Sequence, residues 1–290
     1  MRAAAGPWLV VLAAALWGTT GTARALAPPG ADPLGVGAVR IAIGGVLLVA
    51  FVLATGGSSV ARLARLARPA TLVCAIGVAL YQLSFFSGVA VLGVALGTIV
   101  AIGTAPLATG LLSALLGLRP ARRWYAGTAV AVLGVALLVL PEGPVRLDPL
   151  GILLAVTAGV SYALYAVGAK SLLRENAPLS VMAAAFAGGA ILLLPVLALT
   201  DLRWLWEPAG IAVAAHLGIV ATAIAYALFG RGLALVPATT AATLSLFEPL
   251  TATALGVALL GERLAPAQIG GAVAILAAVA IVAADRERAP

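Results

Sequence analysis

The sequence predicts an all-α integral membrane protein of ten transmembrane helices arranged as two inverted five-helix repeats, and three observations predict it. First, 63% of the 290 residues are hydrophobic and only 9% are charged, with a mean hydropathy of +1.16. A soluble domain is about 45–50% apolar and about 25% charged, so this chain has too little polar surface to cover itself in water. Second, apolar runs of about 20 residues, the length that crosses a hydrocarbon core, recur along the chain and end at charge, Pro or Gly clusters. Third, the two halves share a weak, collinear likeness.

In order, the runs are Pro7 to Ala27, Leu34 to Thr55, Ala70 to Leu92, Val94 to Leu116 and Trp124 to Leu140 in the first half. Pro149 to Leu172, Leu179 to Leu199, Pro208 to Gly230, Val236 to Leu260 and Ala265 to Ala284 follow in the second. The first run, with Arg2 ahead of it and Ala25-Leu26-Ala27 behind, has the outline of a cleavable signal peptide. It continues to about Ala27, long enough to span, and has a counterpart in the second half; it is predicted to be a retained span. No charge occurs from Pro69 to Leu118, a stretch too long for one helix across a core about 30 Å thick, so a tight turn is predicted near Gly93.

The likeness between halves pairs Trp17-Gly18 with Tyr162-Ala163, Pro33-Leu34 with Pro178-Leu179, and Pro106-Leu107 with Pro249-Leu250. Leu115-Leu116-Gly117 with Gly127 answers Leu259-Leu260-Gly261 with Gly271, allowing a slip of one or two residues. Each half, 1–146 and 147–290, holds an odd number of spans, so the second enters the bilayer from the opposite face. Inverted repeats of this kind are a common build of secondary transporters.

The net charge of +7 and pI near 10.5 would point to nucleic acid in a soluble protein, but here the basic residues sit in short clusters between apolar runs. They read as topology signals, with no nucleic-acid partner. Arg62, Arg65, Arg68, Arg119, Arg122, Arg123, Lys170, Arg174 and Arg231 fall on one side with Arg2, Arg286 and Arg288. The opposite connections hold Arg146, Arg203 and Arg263 beside Asp32, Glu142, Asp148, Asp201, Glu207 and Glu262. Both termini are therefore predicted to be cytoplasmic. Cys74 and His216 are the only residues of their types, which excludes a disulfide framework and cysteine or histidine-rich metal sites. No Walker loop, zinc spacing or serine nucleophile elbow is present, so no metal, no cofactor and no enzyme activity are predicted.

The costliest residue is Glu248, which stands beside Pro249 inside the charge-free run from Val236 to Gly261. An acid at membrane depth is costly and marks a site, while Pro249 removes one helix hydrogen bond and frees a carbonyl one turn earlier. A neutral, hydrogen-bonded Glu inside a helix bundle is the bland alternative. Paired interrupted helices point to the substrate site of inverted-repeat carriers. The two candidates are Gly103-Thr104-Ala105-Pro106 and Leu246-Phe247-Glu248-Pro249. Trp17, Thr20, Tyr81, Gln82, Thr104, Tyr162, Tyr165, Tyr226 and Glu248 form the candidate substrate-binding set, because aromatic rings with one polar handle suit a cavity that holds and releases a partly polar solute. Glu248, Pro106, Pro249 and Arg40 are the candidate coupling or gating residues. Arg40, two turns into the second run, has two readings, an anion partner and a snorkelling side chain. His216 has two as well, a proton relay and a satisfied buried histidine.

With these residues in place the chain resembles the EamA-type branch of the drug/metabolite transporter superfamily. The likeness covers nearly the whole chain and is most specific at Glu248-Pro249-Leu250, Gly261-Glu262-Arg263-Leu264, Gln268 and Gly270-Gly271. Trp17-Gly18 and Asp32-Pro33-Leu34 leading to Arg40 also match. The first half departs at Leu118-Arg119-Pro120, where Gly-Glu-Arg-like residues are usual. The resemblance implies a multi-pass carrier of the cytoplasmic membrane that exports amino acids or related metabolites by alternating access. Its partners would be a small-molecule substrate and the lipid bilayer, in a monomer or homodimer. Proton coupling through Glu248 is the further expectation; an uncoupled facilitator or channel of the same fold is the alternative. A membrane-embedded lipid enzyme is the reading from another class, weakened by the lack of an acid pair or metal cluster.

Overall fold

The structure, a computed structural model, describes residues 2–55, 66, 68–139, 147–261 and 263–284. The helices of the first half are α1 (Arg2–Ala25), α2 (Pro33–Ala54), α3 (Pro69–Leu92), α4 (Val94–Leu115) and α5 (Arg122–Leu138). The second half holds α6 (Pro149–Leu172), α7 (Pro178–Leu199), α8 (Pro208–Leu235), α9 in two segments (Ala238–Leu244 and Phe247–Leu260) and α10 (Pro266–Ala283). Eight of these are long and apolar enough to cross a membrane by length and composition. With α1 and the 17-residue α5 they make the ten-helix, two-repeat bundle of a multi-pass membrane protein. Among the predicted topology charges, Arg62, Arg65, Glu142, Arg146, Glu262, Arg286 and Arg288 lie outside the described residues, as does Leu140.

Local chemistry sets the helix starts. Asp32 and Asp148 cap α2 and α6 by accepting from the amides of Gly35 (2.9 Å) and Gly151 (3.0 Å), and each is followed by Pro at the first helical position. The predicted turn falls at Gly93, whose φ of +83° joins α3 to α4 through a single residue. The expected end of the eighth run at Gly230 is corrected: α8 continues through Arg231 to Leu235. Arginine is a good helix former, and near the interface its charge reaches water without breaking the helix.

The bundle has an apolar core, but its outer surface is apolar as well and hydroxyls are buried. Leu111, Leu115, Leu133 and Leu153 are exposed, whereas Thr109, Ser113, Ser161 and Thr222 are buried. Hydrocarbon solvates the leucines, and Thr109, Ser161 and Thr222 each donate to a carbonyl of their own helix at 2.7 Å.

Packing crosses between the halves and repeats itself when they are exchanged. In the first half, α3 packs on α6 and α7, and α4 packs on α6. Moving each label by five helices gives α8 on α1 and α2, and α9 on α1, and all three contacts are present. The two remaining large contacts, α2 with α7 and α5 with α10, map onto themselves. The α5–α10 crossing is made by Gly134 and Gly271, where a Cβ on either would fall within 3 Å of the opposing backbone.

Three helices deviate from regular α geometry. α9 is interrupted at Ser245-Leu246, α7 has a break at Leu193 just before Pro195, and α8 is π-helical over His216–Ile224. The expected symmetry of interruption is corrected: α4 runs unbroken through Pro106. In α9 the Leu246 and Glu248 amides bond to Thr243 and Ser245, three residues back, at 3.1 and 3.0 Å. This tighter turn satisfies the Ser245 carbonyl that Pro249 cannot serve.

Candidate substrate cavity

The interruption in α9 opens onto a cavity of about 370 Å³ walled by helices from both halves. Its floor is an aromatic group from α1, α6, α7 and α8. Trp17 lies 4.8 Å from Tyr226 and 5.2 Å from Phe229, and Tyr226 is 4.0 Å from Phe186 between ring centroids. Tyr165 stands edge-on to Phe186 and donates its hydroxyl to the Met182 sulfur at 2.9 Å. Phe229 and Leu233 are wholly buried below this layer, towards the end of the bundle that carries the N-terminus. In the other direction the lining continues to Arg24, Val94 and Val139 at the opposite end, where Val94 is exposed. The cavity therefore reaches one end of the bundle, and packed aromatics close the other.

Trp17, Thr20, Tyr81, Gln82, Tyr162, Tyr165 and Tyr226 all line this cavity, together with Arg40, Glu248 and Pro249. Two of the residues singled out from the sequence do not. Thr104 lies beside Gly159 of α6, where a Cβ would fall 2.6 Å from the threonine's own Cβ, and Pro106 is buried in α4. Their neighbour Ala105 takes the lining position, because consecutive helical residues face different directions.

Several lining side chains are held from behind. The Gln82 amide donates to the Gly37 carbonyl at 3.1 Å, and Ser245 donates to Ala241 at 2.9 Å while accepting from Tyr162 Oη at 2.9 Å. Arg40 is buried in α2, and its Nε donates to Thr222 Oγ1 at 3.3 Å. Thr222 in turn donates to the Leu217 carbonyl five residues back, a bond that belongs to the π-helical turn. Arg40 is thus anchored to the opposite half rather than extended along its own helix towards the interface. Arg24, at the mouth, lies 5.3 Å from the Phe86 ring centroid in a cation–π contact. His216 lies outside the lining and bonds to Thr19 Oγ1 at 2.8 Å.

Glu248 is fixed through its backbone. The Cα of Gly18 in α1 approaches so closely that a Cβ there would sit 2.6 Å from the Glu248 carbonyl oxygen. The two segments of α9 have different supports: Trp124 Nε1 donates to Thr239 at 3.0 Å and Thr128 shares a 2.7 Å hydrogen bond with Thr243, tying the first segment to α5. The second segment rests mainly on α1. Sequence reading missed Phe186, Phe229, Ser245 and Thr222. The two phenylalanines carry no polar group to mark them in an apolar run. The hydroxyls bond within their own helices as well as across to Tyr162 and Arg40, and only the cross-helix partners mark them.

The EamA-like transporter family model matches this chain twice, over residues 4–140 and 149–284. The chain belongs to the EamA-like transporter family. Its EamA-like relatives include the uncharacterized transporter YwfM of Bacillus subtilis (strain 168), 42% identical over 281 residues, with 96% of this chain and 94% of YwfM covered. The threonine/homoserine exporter RhtA of Escherichia coli (strain K12) is 33% identical over 276 residues, covering 93% of this chain and 88% of RhtA. A probable terminal-alkyne amino-acid exporter of Streptantibioticus cattleyicolor is 29% identical over 280 residues, covering 95% and 92%. A solved crystal structure superposes with a TM-score of 0.81 at 24% identity, covering 96% of each chain, and supports the fold alone. The family and these relatives are transporters rather than enzymes.

Proposed function

We propose that this EamA-like protein exports amino acids or related small metabolites across the cytoplasmic membrane by alternating access. The observation that carries the reading is a one-ended cavity walled by both halves. A carrier must close such a cavity at one end and open it at the other, and exchanging the roles of two interleaved halves, 1–146 and 147–290, accomplishes this. With both termini in the cytoplasm, as the basic connections indicate, the cavity faces outward and the aromatic floor is the inner closure. The substrate-binding set is Trp17, Thr20, Tyr81, Gln82, Tyr162, Tyr165, Tyr226 and Glu248, with Arg40 and Pro249 in coupling or gating. Thr104 and Pro106 act from behind the lining, through the α4–α6 contact. The amino-acid part of the reading is supported by the exporter relatives RhtA and the alkyne amino-acid exporter.

Proton coupling is the finer part of the reading. Glu248 is the acid among the cavity-lining residues and has no ion-pair partner among the described residues, so it is the group available to carry a proton through the cycle. The test is flux in sealed proteoliposomes against a panel of amino acids, threonine and homoserine first, with and without an imposed proton gradient. Uphill, saturable movement driven by the gradient is expected. Flux that saturates poorly and never accumulates solute uphill would instead identify an uncoupled facilitator.

A further inference from the structure

We propose that Arg40 and Glu248 are the two poles of a clamp for a zwitterion, Arg40 holding the α-carboxylate and Glu248 the α-ammonium of an amino acid whose side chain is uncharged. The proposal rests on the amino-acid reading above and specifies what the cavity recognises.

Both residues line the one cavity, yet they do not pair with each other; among the described residues the ion pairs are Arg68–Glu175 and Arg203–Asp201. Arg40 brings five donors and spends Nε on Thr222, leaving the two terminal nitrogens without a protein partner among the described residues. The Glu248 carboxylate likewise has no hydrogen bond from a described side chain or amide, only its backbone being engaged. Two further polar atoms on the same wall are buried and unpartnered, Trp17 Nε1 and Thr20 Oγ1. They lie on α1 on either side of Gly18, whose contact with Glu248 puts them at the same level of the wall. Buried polar groups are normally satisfied, and leaving one unpaired costs about 1–3 kcal/mol; two such atoms on residues that line the same cavity as the unpaired Arg40 and Glu248 head groups suit it to a polar ligand.

The signs and positions select the ligand. A guanidinium matches a carboxylate through two parallel hydrogen bonds, and a carboxylate matches an ammonium. One pole comes from α2 in the first half and the other from α9 in the second, so a bound zwitterion bridges the two units that must move. Between the poles the wall is aromatic or aliphatic, including Tyr81, Phe85, Phe186 and Tyr226. Glu248 is the acid of the lining and the remaining lining cation, Arg24, stands at the mouth over the Phe86 ring, so the class that fits the wall beside the poles is an amino acid with an uncharged side chain.

The experiment is a thermal-shift and binding-competition series on the purified full chain in detergent. The standard amino acids are screened first, and the strongest binder is compared with its carboxamide and its 2-hydroxy acid. For threonine these are threoninamide and 2,3-dihydroxybutanoate. Each analogue removes one charge, and affinity is expected to fall about tenfold or more for each. In Arg40→Gln the preference for the acid over the amide should disappear while the preference for the amine over the hydroxy acid stays. Glu248→Gln should do the reverse, a crossed pattern that loss of packing alone would not produce. If an amino acid binds but its amide and hydroxy acid bind equally well, the clamp is wrong and the exporter reading survives. If no amino acid binds, both fall. Because the analogue comparison uses the wild-type chain, it decides the matter even where a variant fails to fold.

Discussion

Tyr162 Oη donates to Ser245 Oγ at 2.9 Å, so the first helix of the second half is tied to the residue at which α9 is interrupted. Ser245 spends its own proton on Ala241, leaving its oxygen free to accept. The break and the aromatic floor are thereby one unit, and movement of either is felt by the other. Tyr162→Phe and Ser245→Ala should each lower stability by about 1 kcal/mol, and the double variant should cost little more than either alone. Thermal unfolding of the four proteins in detergent checks this; simple additivity would show that the bond contributes nothing.

Pro249→Ala restores an amide one turn after Ser245 and should let α9 close into a continuous helix. The expected result is a melting temperature equal to or above that of the parent, with flux reduced by about tenfold, equivalent to roughly 1.4 kcal/mol in barrier. Flux assays beside melting curves separate the two effects. Unchanged transport would mean that the interruption has no part in the cycle.

Gly18 admits α1 against the backbone of α9. An added Cβ would meet the Glu248 carbonyl and Thr251 Cβ, each at 2.6 Å. Gly18→Ala should therefore force the helices apart and cost about 1–3 kcal/mol. Gly270→Ala, where nothing lies within 4 Å of a new Cβ, is the matching control and should leave the melting temperature near that of the parent.

If Glu248 carries a proton, Glu248→Gln fixes that position neutral and should flatten the pH dependence of flux, with solute no longer driven uphill. Initial rates across external pH values measure this. A variant that keeps the parent's pH profile sinks the coupling reading.

The exposed connection between α7 and α8 gives a pH prediction of the opposite kind. Arg203 hydrogen-bonds Asp201 at 2.6 Å and holds its carboxyl below the ordinary value of 3.8. A carboxylate depressed by folding adds stability that is present above its unfolded pKa and lost as pH falls through the folded one. The contribution is therefore present in full above about pH 5 and lost only below about pH 4, and exposure leaves it small. Asp201→Asn should lower the melting temperature only slightly, and evenly, between pH 5 and pH 8, and should match the parent below about pH 3; a loss that grows as the pH falls would contradict this.

Much of the bundle is legible in the chain because hydrocarbon imposes length and composition on every span. Gly93 in a charge-free run, and Asp-Pro before two of the helices, are local signals that need no tertiary context. Pro249 and Pro106 show where such reading ends. Both remove the same kind of hydrogen bond, yet only α9 breaks, and no local sequence signal tells the two apart. The π-helical turn at His216–Ile224 and the anchoring of Arg40 on Thr222 were equally hidden. The anchoring of Arg40 depends on a partner 182 positions away. For Arg40 the sequence alone left snorkelling and ligand contact open, and only the position of α8 brings a hydroxyl to its Nε.

The exchange of packing partners between halves also governs how the chain is built. α1 emerges first during synthesis, but its main neighbours are α8 and α9, and its Thr19 meets His216 across 197 residues. Until those later helices are made, the first helix lacks its main packing partners and waits in the lipid largely as an independent span. Assembly is therefore a late event, completed when the last third of the polypeptide arrives. Truncation before α8 would leave the earliest-made of these helices without its main neighbours.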